Sequence, residues 1–161
     1  MTLTHNIDLK KLAISLGLSL GVGGLSAIVS MGSQESFEAA VKPPLTPPAF
    51  LFPIVWTILF LLMGVSAYLI YNSNTEEKDI RSAALYVYIA QLLVNFFWPV
   101  IFFNLAAYFS ASVWIILLLI LIIVMIALFS RISKPAAYLQ IPYLLWVSFA
   151  TYLTIAVAVL N

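Results

Sequence analysis

Five stretches of this chain are each long and apolar enough to cross a membrane, and no other feature limits its fold as much. They run from about 11 to 31, 50 to 71, 83 to 103, 109 to 129 and 137 to 160. A spanning helix needs roughly 20 apolar residues, because in hydrocarbon every backbone N–H and C=O must be paired within its own segment. The pattern predicts an all-α integral membrane protein, a five-transmembrane-helix bundle forming one domain over residues 1–161. Composition agrees, with 64% hydrophobic and only 8% charged residues, where soluble domains carry about a quarter charged. The first stretch follows Lys10 and Lys11 as a signal peptide would. It is long, however, and no small-residue cleavage site follows, so it reads as a span.

The few charges lie between the spans and can be assigned to sides. Lys10, Lys11, Lys78, Arg81, Arg131 and Lys134 fall on one side, and of the 7 Lys+Arg only Lys42 falls on the other. By the positive-inside rule the N-terminus is cytoplasmic, and residues 42–56 begin on the outer face with the turn near Asn104. A bacterial cell membrane is the expected location, with the mitochondrial outer membrane as the alternative. The near-neutral charge balance leaves no footprint for nucleic acid. With no cysteine in the chain, disulfides, thiolate catalysis and cysteine-based metal sites are excluded. No metal site and no cofactor are expected.

No Asp, Glu, Lys, Arg or His lies within the last four spans. Proton-coupled carriers rely on such groups as relays, so active proton-coupled transport is not expected. Carboxylate pairs for acid and base work are missing from the bilayer as well. A Ser-His-Asp triad would need His5, the only histidine, which lies outside every span. The first span has Gly17 and Gly21 in GxxxG spacing. Such small residues let helices approach closely, here first by packing inside the bundle and alternatively in a homodimer.

The spans do offer indoles and neutral amides. Trp114, near the start of the fourth span, reads as an interfacial belt residue. Gln91, Asn95 and Trp98 follow at i, i+4 and i+7 on one face of the third span. Pro99 lies four residues after Asn95, removes the bond that Asn95's carbonyl would accept and predicts a kink. Pro142, Trp146 and Ala150 form an i+4 row in the fifth span, with Phe149 and Leu153 beside it; Phe52, Trp56, Phe60 and Gly64 form another in the second. Three helices thus carry an indole beside a small residue or a proline. The rows fit either an apolar small-molecule cavity with a few polar points or plain packing with a polar clamp between helices.

These residues also resemble the TspO family, or tryptophan-rich sensory proteins, which includes the mitochondrial translocator protein. The resemblance covers about residues 36–161 and rests on four motifs in order: KPPLTPP at 42–48, FPIVWTILFLLMG at 52–64, YIAQLLVNFFWPVIFFN at 88–104 and IPYLLWVSFATYL at 141–153. It implies a five-helix bundle binding tetrapyrroles such as protoporphyrin IX, and in some members sterols or benzodiazepine-type drugs. The implied ligand-binding residues are Trp56, Asn95, Trp98, Trp146, Ala150 and Leu153, with Phe102 and Phe103 as neighbours. Some bacterial members are reported to degrade protoporphyrin in light, which would make Trp56 and Trp146 the catalytic indoles. Alternatives to a receptor-like binder are therefore a light-dependent porphyrin-degrading enzyme and a ligand-free membrane scaffold.

The chain departs from the family's WY and PSW patterns at Ser36, Phe37, Pro44 and Leu45, so that two loop aromatics are missing, and at Thr154 and Ala158, where relatives commonly carry Asn and an aromatic. The prolines Pro43, Pro44, Pro47 and Pro48 stiffen the outer connector, and Pro53 is tolerated in a first helical turn. The resemblance adds that this connector acts as a lid above the pocket to which Trp56 belongs. With no intramembrane histidine or cysteine, axial haem ligation is not expected apart from Met or Tyr. A metal-free macrocycle held by aromatic stacking and amide hydrogen bonds from Asn95 or Gln91 is.

Overall fold

The computed structural model describes residues 6–161; His5 lies outside them. The chain forms α1 (Leu9–Ser30), a short α2 (Glu35–Ala39), α3 (Leu51–Tyr71), α4 (Lys78–Pro99), α5 (Tyr108–Ile132), a short α6 (Lys134–Leu139) and α7 (Ile141–Leu160). Five helical segments are long and apolar enough to span a membrane, as the sequence predicts. Asp8 caps α1 by accepting from the Lys11 N–H at 3.1 Å. Ser133 caps α6, accepting from the Ala136 N–H at 3.3 Å.

Two spans depart from simple rods. Pro99 brings no N–H, so α4 opens into a π-helical turn over Val100–Asn104, closed by the Leu105 N–H donating to the Val100 carbonyl at 3.1 Å. The predicted kink is thus a widened turn that carries Phe102 and Phe103 around the helix end. The fifth span starts earlier than expected, at Lys134, and breaks at Gln140 between α6 and α7.

Helix packing is closest between α1 and α3, α4 and α5, and α5 and α7, with α1 also against α4. The helices follow the order α3, α1, α4, α5, α7 around the bundle. α6 packs on both α3 and α5 at one end, where the Ser66 hydroxyl donates to the Ala136 carbonyl at 2.7 Å. Farther along, α3 and α7 meet through aromatic side chains, Phe52 on Trp146 and Trp56 on Tyr143. Met63, Ile70, Ile122, Met125 and Phe129 fill the core at the α6 end and are fully buried.

Close approach of α1 to α3 depends on Gly23 and Gly64. A Cβ on Gly64 would stand 2.7 Å from Ser19 Oγ and 3.0 Å from the Leu16 Cα, and one on Gly23 would stand 2.5 Å from the Phe60 ring. Gly17 and Gly21 meet nothing within 4 Å. Their GxxxG spacing therefore does not serve packing inside the bundle, and they sit on an exposed face of α1. Trp114 is likewise no simple belt residue: its Nε1–H donates to the Val94 carbonyl at 2.7 Å and ties α5 to α4.

Candidate functional site

Beneath the connector between α1 and α3, the helices part around a cavity of about 600 Å³. Its walls follow from residue size at facing positions. α1 contributes Gly23, Ser26, Ala27 and Ser30, α7 contributes Ala150, Leu153 and Thr154, and these small or slender side chains leave room opposite the bulky Phe52, Trp56 and Phe60 of α3. α4 adds Asn95, Trp98 and Pro99, and the π-helical turn adds Phe102 and Phe103. Trp98 stacks on Phe102 with centroids 5.3 Å apart and planes 24° apart, and Phe103 meets both rings edge-on. This stack forms one flat aromatic wall.

Below it lies a short hydrogen-bond chain. The Tyr143 hydroxyl donates to Gln91 Oε1 at 2.7 Å and accepts from Asn95 Nδ2 at 2.6 Å. Burial makes each of these bonds costly to lose, and together they fix the Asn95 side chain at the cavity wall. Gln91 itself is fully buried one turn deeper, so the amide that reaches the cavity is that of Asn95. The Trp98 Nε1–H is buried without a protein acceptor.

The connector covers the cavity and is tied down at several points. Val41 exchanges two bonds with the Asn161 side chain, its N–H donating at 2.9 Å and its carbonyl accepting at 3.0 Å. The Tyr152 hydroxyl donates to the Pro44 carbonyl at 3.1 Å, and that of Tyr108 to the Ser36 carbonyl at 3.3 Å. Pro47 and Pro48 face the cavity, whereas Pro43 and Pro44 do not line it. Leu45 takes a left-handed φ of 69° and is exposed, pointing no side chain at the cavity.

Of the residues proposed from sequence, Trp56, Asn95, Trp98, Phe102, Ala150 and Leu153 come together here. Trp146 stands apart. It lines a separate, almost wholly apolar groove of about 420 Å³ between α3 and α7, with Val55, Ile58, Leu59, Pro142, Leu145 and Phe149. Its ring packs on that of the cavity residue Phe52, 5.9 Å away, and its Nε1–H is also buried without an acceptor. The sequence reading missed Phe37, carried by α2, which packs on Phe102 and Phe103. No periodic pattern marks a helix of five residues. It also missed the α1 face of Gly23, Ser26 and Ser30, whose i, i+3, i+7 spacing was legible.

The pattern of the TspO/MBR family matches residues 13–160. The chain belongs to the TspO/MBR family. It is 36% identical over 157 residues to a tryptophan-rich protein TspO of Chlorobaculum tepidum, covering 97% of this chain and 99% of the relative. A protein of the same name from Archaeoglobus fulgidus is 35% identical over 156 residues, covering 96% and 99%. The translocator protein of Bos taurus is 30% identical over 140 residues, covering 86% and 83%. This TspO/MBR member is an integral membrane protein with five apolar spanning helices.

Proposed function

We propose that the chain is a receptor-like membrane protein that binds a metal-free tetrapyrrole, of which protoporphyrin IX is the type, in the cavity beneath the connector. The reading rests on the stacked Trp98–Phe102 wall facing a cavity of about 600 Å³ in which Asn95 is the fixed polar point. Pockets of this size and character suit flat apolar ligands with few hydrogen bonds. Sterols and benzodiazepine-type drugs are the other ligand classes that the family suggests. Porphyrin handling, transport or a stress response is the corresponding role, in a bacterial cell membrane with the N-terminus in the cytoplasm. A second copy of the chain is the proposed protein partner, meeting the exposed α1 face at Gly17 and Gly21.

The test is a titration of detergent-solubilised protein with protoporphyrin IX in the dark, followed by Trp fluorescence. Quenching at micromolar ligand is expected, weakened when Trp56→Phe and Trp146→Phe are combined. Unchanged binding in the double variant would remove both indoles from the site, and the single variants separate the cavity residue from the groove residue. A second reading, light-dependent oxidative degradation of the porphyrin with dioxygen as the oxidant, draws on Trp56 in the cavity wall, since an indole against a photoexcited macrocycle can donate an electron that the reduced macrocycle then passes to dioxygen. Several turnovers per protein under light would support it, whereas a single stoichiometric bleaching marks a binder. Flux across liposomes tests transport.

A further inference from the structure

Among the described residues, Lys42 is the one Lys or Arg that lies at this end of the bundle, at the cavity mouth. Lys42 borders the mouth beside Gln34, Phe37 and Glu38. Its Nζ stands over the Phe37 ring, 5.3 Å from the centroid, a contact that holds an ammonium in place without neutralising it. Phe37 in turn packs against Phe102 and Phe103, so the cation tops the aromatic layer that continues down to Trp98. The backbone around it is fixed too. Val41 makes two hydrogen bonds with the Asn161 side chain on one side, and on the other follows the buried Pro43, with φ set by its ring.

Lys42 makes no ion pair among the described residues; the two pairs found there, Lys11 with Asp8 and Arg131 with Glu77, lie elsewhere. Glu38 shares the mouth but stays beyond ion-pair distance of it. An unpaired, pre-positioned ammonium above a flat apolar wall suits one ligand shape: a planar hydrophobic body with an anionic edge. We propose that Lys42 is the anion anchor of the cavity and makes it select planar apolar ligands that carry a carboxylate over their neutral esters. Glu38 opposes that selection. The inference rests on the cavity being the ligand site and adds the charge class of the ligand.

Protoporphyrin IX and its dimethyl ester share the macrocycle and differ in charge at one edge, so they serve as the probe pair. Titrated in the dark against the full-length protein in neutral nanodiscs, the diacid binds roughly fivefold more tightly than the ester, the scale of one partly solvated charge pair. Lys42→Gln abolishes the difference by weakening only the diacid, Lys42→Arg keeps it, Glu38→Gln widens it, and added salt narrows it. Equal binding of the two compounds by the unmodified protein overturns the inference and leaves the cavity reading standing. Equal weakening of both by Lys42→Gln also overturns it, because Lys42 would then act only by supporting Phe37. If neither compound binds, the cavity reading fails and the anchor with it.

Discussion

The two ends of the bundle are built from the same helices and packed in opposite ways. At the α6 end, Met63, Ile70, Ile122, Met125 and Phe129 interdigitate with no exposed surface, and Ser66 bonds across to the α6 backbone. At the connector end, large aromatics on α3 and α4 face Gly23, Ser26 and Ala150 and leave a cavity. The difference is one of size pairing rather than of hydrophobicity. Large against large, offset by a turn, fills space, whereas large against small leaves it. The Tyr143 hydroxyl, bonded to Gln91 and Asn95, marks the level where the first arrangement gives way to the second. One end therefore holds the fold together while the other keeps an open cavity.

That contrast is most sharply broken by truncating the same residue type at each end. Phe129→Ala should cost about 3–5 kcal/mol, since a sealed core cannot collapse around the void. Phe102→Ala, beside a space that already exists, should cost clearly less and show mainly as lost ligand binding. Thermal unfolding in detergent measures both, and equal losses would mean that the ends are not packed differently. Tyr143→Phe comes next. It strips a partner from both Gln91 and Asn95 and should lower stability by about 1–3 kcal/mol, while freeing the Asn95 amide to turn and so weakening ligand binding.

Smaller effects sharpen the same comparison. Gly64→Ala drives a methyl to 3.0 Å from the Leu16 backbone and should destabilise by about 1–3 kcal/mol. Gly23→Ala meets only the Phe60 ring, which can swing toward the cavity, so its cost should fall below that of Gly64→Ala and appear instead as reduced ligand capacity. The smallest effect lies at the helix cap. The Lys11 backbone N–H holds the Asp8 carboxyl below its ordinary value of 3.8. A carboxylate whose pKa falls on folding contributes above its unfolded value and loses that contribution as pH drops through the folded one. Protection of the amides in the first turn of α1, relative to their intrinsic exchange rates, should therefore fall on acidification below 3.8 and stay unchanged at both ends of the bundle.

Much of this was legible in the chain itself. Span length and apolarity marked five helices, and the polar row Gln91, Asn95, Trp98 marked the inner face of α4, because amides in hydrocarbon must turn inward to find partners. Pro99 announced a distortion, though not the π-helical turn that carries Phe102 into the wall. The break at Gln140 and the short α2 left no periodic trace. The GxxxG pair named the wrong glycines for packing inside the bundle, since Gly23 and Gly64 make the close approach.

By itself the sequence determined the membrane class, the number of helices, the stiffness of the connector and the aromatic rows, all of which follow from local chemistry repeated at helical spacing. Only the tertiary structure decided how the helices without such a polar row are turned about their axes. Lipid is as apolar as the protein interior, so hydropathy does not distinguish an outward row from an inward one when both are hydrophobic. Trp56 and Trp146 look alike in sequence, each in an i+4 row with at least one phenylalanine close by. Packing turned Trp56 into the cavity and Trp146 into the groove between α3 and α7.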